Sequence, residues 1–91
     1  MNNCMLASDL FGSREEYQKN LTTLAKRYAA APNVNRPSLS AAIHSIGIQI
    51  AGVERALSAI GYSVRVEQAS KTDTYVLYQG NDRSAHFVVS H

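Results

Sequence analysis

The feature that most constrains the fold is a regular apolar repeat between Ser38 and Gly61. Its apolar residues are spaced alternately four and three positions apart, which is the heptad pattern of a helix that packs along one seam. Pro37 suits the first turn of such a helix, and Gly61 suits a left-handed C-terminal cap. The pattern therefore predicts a helix over residues 38–61. Its apolar positions are Leu39, Ile43, Ile46, Ile50, Val53, Leu57 and Ile60.

The length of this helix leaves two alternatives open. It would span about 34 Å, whereas a compact domain of 91 residues is expected to be about 31 Å across. The helix is therefore either continuous, with a free end that packs on a second copy, or broken at Gly47, and we favour the continuous helix. Its seam is either an intramolecular core or a dimer interface, and we favour a homodimer. The residues predicted for self-association are Leu39, Ile43, Ile46, Ile50, Val53 and Leu57.

Another helix is predicted before the repeat. Ser13 and Glu16 have the spacing of a capping box, in which the serine hydroxyl and the glutamate side chain satisfy backbone N–H groups at a helix start. Apolar residues then follow at helical spacing until Pro32. The sequence predicts a helix over residues 14–30, preceded by an N-terminal arm, residues 1–12, of one or two helical turns.

From Tyr62 onward the apolar period changes from helical to alternating. Alternation of this kind predicts strands, and the short turn-rich connections predict an antiparallel meander. The expected fold class is α+β in the order α-α-β-β-β, as a single domain over residues 1–91 with a helical part, 13–61, and a β-meander, 62–91. The predicted strands lie at 62–67, 74–79 and 85–90.

Composition and motifs exclude several classes of function. The chain has one cysteine, Cys4, so no internal disulfide can form, and we expect a cytoplasmic protein without signal peptide or membrane span. The three histidines lack the spacing of metal ligands. No glycine-rich phosphate loop is present, and every carboxylate is explained by a cap, a helix face or a turn. We therefore expect no cofactor, no metal and no enzymatic activity.

The outer face of the predicted sheet carries the functional expectation. The strand at 74–79 is apolar on both faces, so the side away from the helices needs a cover. We predict that the outward side chains Arg65, Tyr75, Tyr78 and His86 bind a partner. The expected function is a small non-catalytic protein-binding regulator or inhibitor, with a mobile-element accessory protein as one setting.

The alternative function is nucleic-acid binding of a winged-helix-like type. Arg65, Lys71 and Arg83 would then lie on the sheet or its loops, and Tyr75 and Tyr78 would stack on bases. Against this, the formal net charge is only +2, and the basic residues are spread along the chain rather than clustered.

Overall fold

The computed structural model describes residues 3–91 and contains two long helices followed by three strands. The predicted order α-α-β-β-β and the α+β class are confirmed. A short 3-10 turn, Asn33–Asn35, joins the two helices. The elements are α1 (Asn3–Ala30), α2 (Arg36–Ala59), β1 (Tyr62–Gln68), β2 (Thr72–Gln79) and β3 (Asp82–Ser90).

Helix α1 begins well before the predicted start. It runs without interruption from Asn3, so the predicted arm is its first part and Ser13 lies in its interior. The predicted capping box at Ser13 is therefore wrong. Ala7 and Phe11 are buried in the core, and such packing of a helix face contributes more to helix stability than a local start signal does. Residues 1 and 2 of the predicted arm lie outside the described residues.

Helix α2 is continuous through Gly47, as the favoured alternative requires. The domain accommodates the long helix by being elongated: its principal extents are 47 × 28 × 15 Å and its radius of gyration is 14.6 Å. A compact domain of this length would have a radius of gyration of about 12 Å. The hairpin of α1 and α2 therefore extends beyond the sheet.

Two glycines in different backbone conformations give matched predictions. Gly61 follows α2 with a φ of 85°, which a side chain disfavours, so Gly61→Ala is expected to lower the free energy of unfolding by about 1 kcal/mol. Gly47 is helical, and a Cβ there would meet no atom within 4 Å. Gly47→Ala is expected to raise the free energy of unfolding by up to about 1 kcal/mol. Urea denaturation of both variants checks the opposite signs, and two changes of equal sign would contradict the expectation.

The sheet has β2 at its centre and is antiparallel throughout. Val64 pairs with Leu77, and Tyr75 pairs with Phe87, so these side chains share the face toward the helices. The Phe87 ring centroid lies 5.0 Å from that of Phe11 and 4.9 Å from that of Tyr75. The core formed between the sheet and the helices consists of Ala7, Phe11, Leu57, Tyr62, Tyr75, Leu77, Phe87 and Val89.

The sheet covers only one end of the helical hairpin. The core residues of the helices come from the first half of α1 and the second half of α2, and Arg14 contacts Glu54 where these halves meet. We call the remaining part, residues 18–49, the distal hairpin. Within residues 3–91, neither helix combines the length and the apolar character that crossing a membrane requires.

Candidate protein-interaction surface

The middle of the outer sheet face is covered by side chains of the sheet itself. Arg65 pairs with Val76, which pairs with His86, so the three lie side by side on the face away from the helices. Val76 is nevertheless 0% exposed. The guanidinium carbon of Arg65 lies 4.3 Å from the centroid of the Tyr78 ring, which places a cation–π pair next to Val76.

An ion pair completes this cover. The Arg83 guanidinium donates to the Glu67 carboxylate at 2.9 Å. Glu67 pairs with position 74 and Arg83 with position 78 of the central strand, so the line between the two side chains passes over Val76. The apolar centre that led us to expect a partner on this face is therefore already buried within the chain.

Tyr75 does not lie on the outer face, so its predicted outward orientation is wrong. Residues 75 and 78 are separated by an odd number of positions and must point to opposite sides of a regular strand. The structure buries Tyr75 against the helices, where it stacks on Phe87. Arg65, Tyr78 and His86 have the predicted orientation, and a role for them in binding stays a prediction.

A polar junction lies where the two helices meet the sheet. Arg14 donates from Nε to the Glu54 carboxylate at 3.0 Å and from an Nη to the Gln18 amide oxygen at 2.6 Å. Its guanidinium carbon lies 4.9 Å from the centroid of the Tyr75 ring. The Arg14 side chain is only 7% exposed, whereas that of Glu54 is 45% exposed. These contacts satisfy a charge that the packing of the domain has buried.

The unequal burial of this pair predicts unequal effects of mutation. Glu54→Ala leaves Arg14 buried without its carboxylate, and we expect the free energy of unfolding to fall by about 2 kcal/mol. This value is below the range for fully buried pairs because Glu54 is half solvated. Arg14→Met leaves a carboxylate that water can hydrate, with an expected change within about 1 kcal/mol. Urea denaturation of both variants measures the difference. A larger loss for Arg14→Met would contradict this account.

Two tyrosine hydroxyls are perturbed by burial. Burial is the main cause that raises the pKa of Tyr62 above its usual 10.0, and a hydrogen bond with the Cys4 thiol adds to it. Burial also raises the pKa of Tyr75, although the nearby Arg14 guanidinium opposes the shift. In the folded protein, both phenols therefore hold their protons at a pH where free tyrosine ionises.

These shifts predict a loss of stability in alkali. Below pH 10 both states keep the phenolic protons, so the two groups leave stability unchanged. Above about pH 10 the unfolded chain releases them first, and the free energy of unfolding falls as the pH rises. Circular dichroism followed as the pH is raised should show the folded protein losing stability above about pH 10. Tyr62→Phe removes one of the two phenols and serves as the control, with an expected unfolding transition at higher pH. An unchanged transition in Tyr62→Phe would contradict this account.

Among residues 3–91, no third element packs over the distal hairpin. Its larger apolar side chains are only half buried, and Val34 at the tip is 83% exposed, while Ile48 on α2 is 57% exposed. Two helices alone present apolar side chains to solvent, whereas a third element would bury them. The half-buried apolar residues are Leu21, Leu24, Leu39, Ile43 and Ile46.

A shallow groove runs along α1 in this uncovered region. It begins beside His91 at the end of the sheet. It then follows one face of α1, where its lining residues are three or four positions apart. Nε2 of His91 lies 3.2 Å from Oδ1 of Asp73, without the alignment of a hydrogen bond. The residues that line this α1 groove are Gln18, Leu21, Thr22, Ala25, Lys26, Ala29 and His91.

The distal hairpin is also distinct in charge. Residues 18–49 contain no Asp or Glu and four basic side chains, namely Lys19, Lys26, Arg27 and Arg36. The other five basic residues are outnumbered by all seven carboxylates, so the rest of the chain has a formal charge of −2 against +4 for the distal hairpin. This separation of charge could have been found in the sequence, where the long run without carboxylates is visible. Sequence reasoning judged the basic residues to be spread along the chain and did not assign this run to one surface.

The predicted self-association residues divide between core and surface. Leu57 is 0% exposed and Ile50 is buried, so neither can contact a second copy unless the domain opens. Val53 packs against the core. Leu39, Ile43 and Ile46 are half buried on the distal hairpin. Self-association stays a prediction, and among these six residues it is the partly buried ones, rather than Ile50 and Leu57, that have surface available for it.

The remaining chemistry of the described residues offers little for metal binding. Within residues 3–91, no group of three His, Cys, Asp or Glu side chains is placed to hold a metal ion.

Comparisons with protein-family models, curated proteins and solved structures give no significant match to this chain. A functional assignment therefore depends on the surfaces themselves.

Proposed function

We propose that the protein is a non-catalytic regulator or inhibitor that binds another protein through its distal hairpin. The observation that carries the proposal is the absence, within residues 3–91, of a third layer over this half of the helices. The rest of the domain is better covered: the sheet packs on the helices, and the Arg65–Tyr78 stack and the Glu67–Arg83 ion pair cover the middle of the outer sheet face.

The polar junction supports a role without catalysis. Arg14 is held by Glu54 and Gln18, and the Gln18 amide in turn donates to the Thr22 hydroxyl at 3.4 Å. Side chains that satisfy one another in this way stabilise the helix–sheet junction.

Nucleic-acid binding is the second candidate, favoured by one observation. The distal hairpin carries four basic residues and no carboxylate, so a phosphate backbone would meet no repulsion there. However, protein–nucleic acid interfaces are polar, whereas this region exposes apolar side chains such as Val34 and Ile48. We therefore place protein first as the partner.

A photo-crosslinking experiment tests the proposal. Benzoylphenylalanine is placed at Ala25 in the α1 groove or, as a control, at Val88 on the outer sheet face, which is 48% exposed. After irradiation in cells that produce the protein, adducts are identified by mass spectrometry. We expect a protein adduct from Ala25 that is lost when Leu21→Glu is added, and no adduct from Val88.

Two results would overturn the proposal. An adduct from Val88 alone would place binding on the outer sheet face, as the sequence predicted. A lack of protein adducts, together with anisotropy changes of labelled DNA or RNA that weaken steeply with salt, would favour nucleic acid. In that assay Lys26→Glu, rather than Arg55→Glu, is expected to weaken binding.

A further inference from the structure

We propose that the α1 groove accepts a single amphipathic helix of the partner, with a carboxylate placed beside Lys26. This inference rests on the proposed function and specifies the partner's chemistry. Helix-in-groove recognition needs an apolar face and flanking groups that fix the position of the bound helix. The groove supplies Leu21 and Ala25 as the apolar face.

The size of the groove fits one helix. From Gln18 to Ala29 it runs about 17 Å, the length of roughly three helical turns. A helix about 10 Å wide over this length covers far less than the about 800 Å² per partner of a standard complex between globular proteins. A segment of three to four turns is therefore a better match for the groove than a broad protein surface.

One cation that lines the groove is available for a partner. Lys19 is engaged by Glu15 at 2.8 Å, and Arg36 lies over the Tyr28 ring at 5.3 Å. Lys26 lines the groove in the last turns of α1, and within residues 3–91 it takes part in no ion pair. A carboxylate of a bound helix would find an unpaired positive charge there, without a competing carboxylate in residues 18–49.

The same charges disfavour a second copy as the occupant. Two distal hairpins packed on each other would bring together two surfaces of formal charge +4, which repel. The partner helix is instead expected to run antiparallel to α1. Its N-terminal turn, where acidic residues are favoured by the helix dipole, would then lie beside Lys26.

Designed peptides test the inference with the full chain. The probe is a sixteen-residue helix-forming peptide with leucine at helical spacing and glutamate in its first two turns. Matched peptides replace each glutamate by glutamine or by lysine. Titration by NMR is expected to show the acidic peptide shifting amide signals of residues 18–29. Affinity is expected to fall by at least about ten-fold for the lysine peptide.

Two variants of the protein distinguish an effect of the charge in the groove from an effect of the net charge of the protein. Lys26→Glu is expected to weaken the acidic peptide several-fold and to strengthen the lysine peptide. Arg55→Glu makes the same charge change on α2, outside the groove, and is expected to leave both affinities nearly unchanged. Sedimentation of the free protein is expected to show no dimer that depends on the distal hairpin.

The outcomes distinguish this inference from the proposed function. Equal binding of the acidic, neutral and basic peptides, with shifts in residues 18–29, would overturn the acidic partner and leave protein binding by the distal hairpin in place. Shifts confined to the sheet would overturn both. A dimer that is lost with Leu39→Glu or Ile43→Glu would make a second copy the occupant and overturn the inference.

Discussion

Phe87→Ala is expected to lower the free energy of unfolding by about 4 kcal/mol, as large-to-small changes of buried aromatic residues do. Phe87 is buried between α1 and the sheet, where its ring meets both Phe11 and Tyr75. Removal of the ring takes away the contact that joins three elements and leaves a cavity. A domain of this size has only about 5–15 kcal/mol of stability in total, so the variant would be close to unfolding.

The neighbouring residue provides the control for this prediction. Val88 lies on the opposite face of the same strand and is 48% exposed, so Val88→Ala is expected to cost less than about 1 kcal/mol. Phe87→Leu keeps most of the volume and is expected to remain folded if Phe87→Ala does not. Urea denaturation followed by circular dichroism gives all three values. Similar losses at positions 87 and 88 would contradict the assignment of the two faces.

Leu57→Ala is expected to lower the free energy of unfolding by about 3 kcal/mol, because the side chain has no exposed surface. Leu39 belongs to the same heptad repeat, at the other of its two apolar positions, and is only half buried. Leu39→Ala is therefore expected to cost about 1 kcal/mol. Comparison of the two variants tests whether the apolar seam is core at Leu57 and partly exposed surface at Leu39.

The same variants examine the predicted dimer. Denaturation midpoints of the unmodified protein, measured at several protein concentrations, rise with concentration if folding is linked to self-association. Leu39→Ala would remove that dependence if the distal hairpin formed the dimer interface. Equal losses for Leu39→Ala and Leu57→Ala, both independent of concentration, would show that the whole repeat is core and would leave the distal hairpin without surplus apolar surface.

The structure changes where a partner is expected. The outer sheet face was favoured because β2 is apolar on both sides, yet the Glu67–Arg83 pair and Arg65 bury Val76 within the chain. Long charged side chains can cover apolar surface with their stems while their charged ends stay in water. Strand alternation predicts which side chains share a face, but not this cover. The cover depends on the register of the three strands, which places Glu67 and Arg83 on either side of Val76.

The candidate site was missed by sequence reasoning for a related reason. The half-buried residues of the distal hairpin follow the same periodicity as the buried ones, so their spacing does not reveal which of them the sheet reaches. The run of residues 18–49 without carboxylates was visible in the sequence, but its meaning depends on the hairpin bringing α1 and α2 together. The half-buried apolar residues and the run without carboxylates therefore indicated a binding site only when the structure placed both on the distal hairpin.

The sequence by itself determined the α+β class, the order of elements and the approximate strands. Local signals were sufficient there, because heptad spacing, alternation and turn residues act over a few positions. Tertiary structure decided the start of α1, the inward position of Tyr75 and the burial of Arg14. It also decided where the sheet ends on the hairpin. These features depend on contacts between residues far apart in the chain, and packing energies at such contacts exceed local preferences.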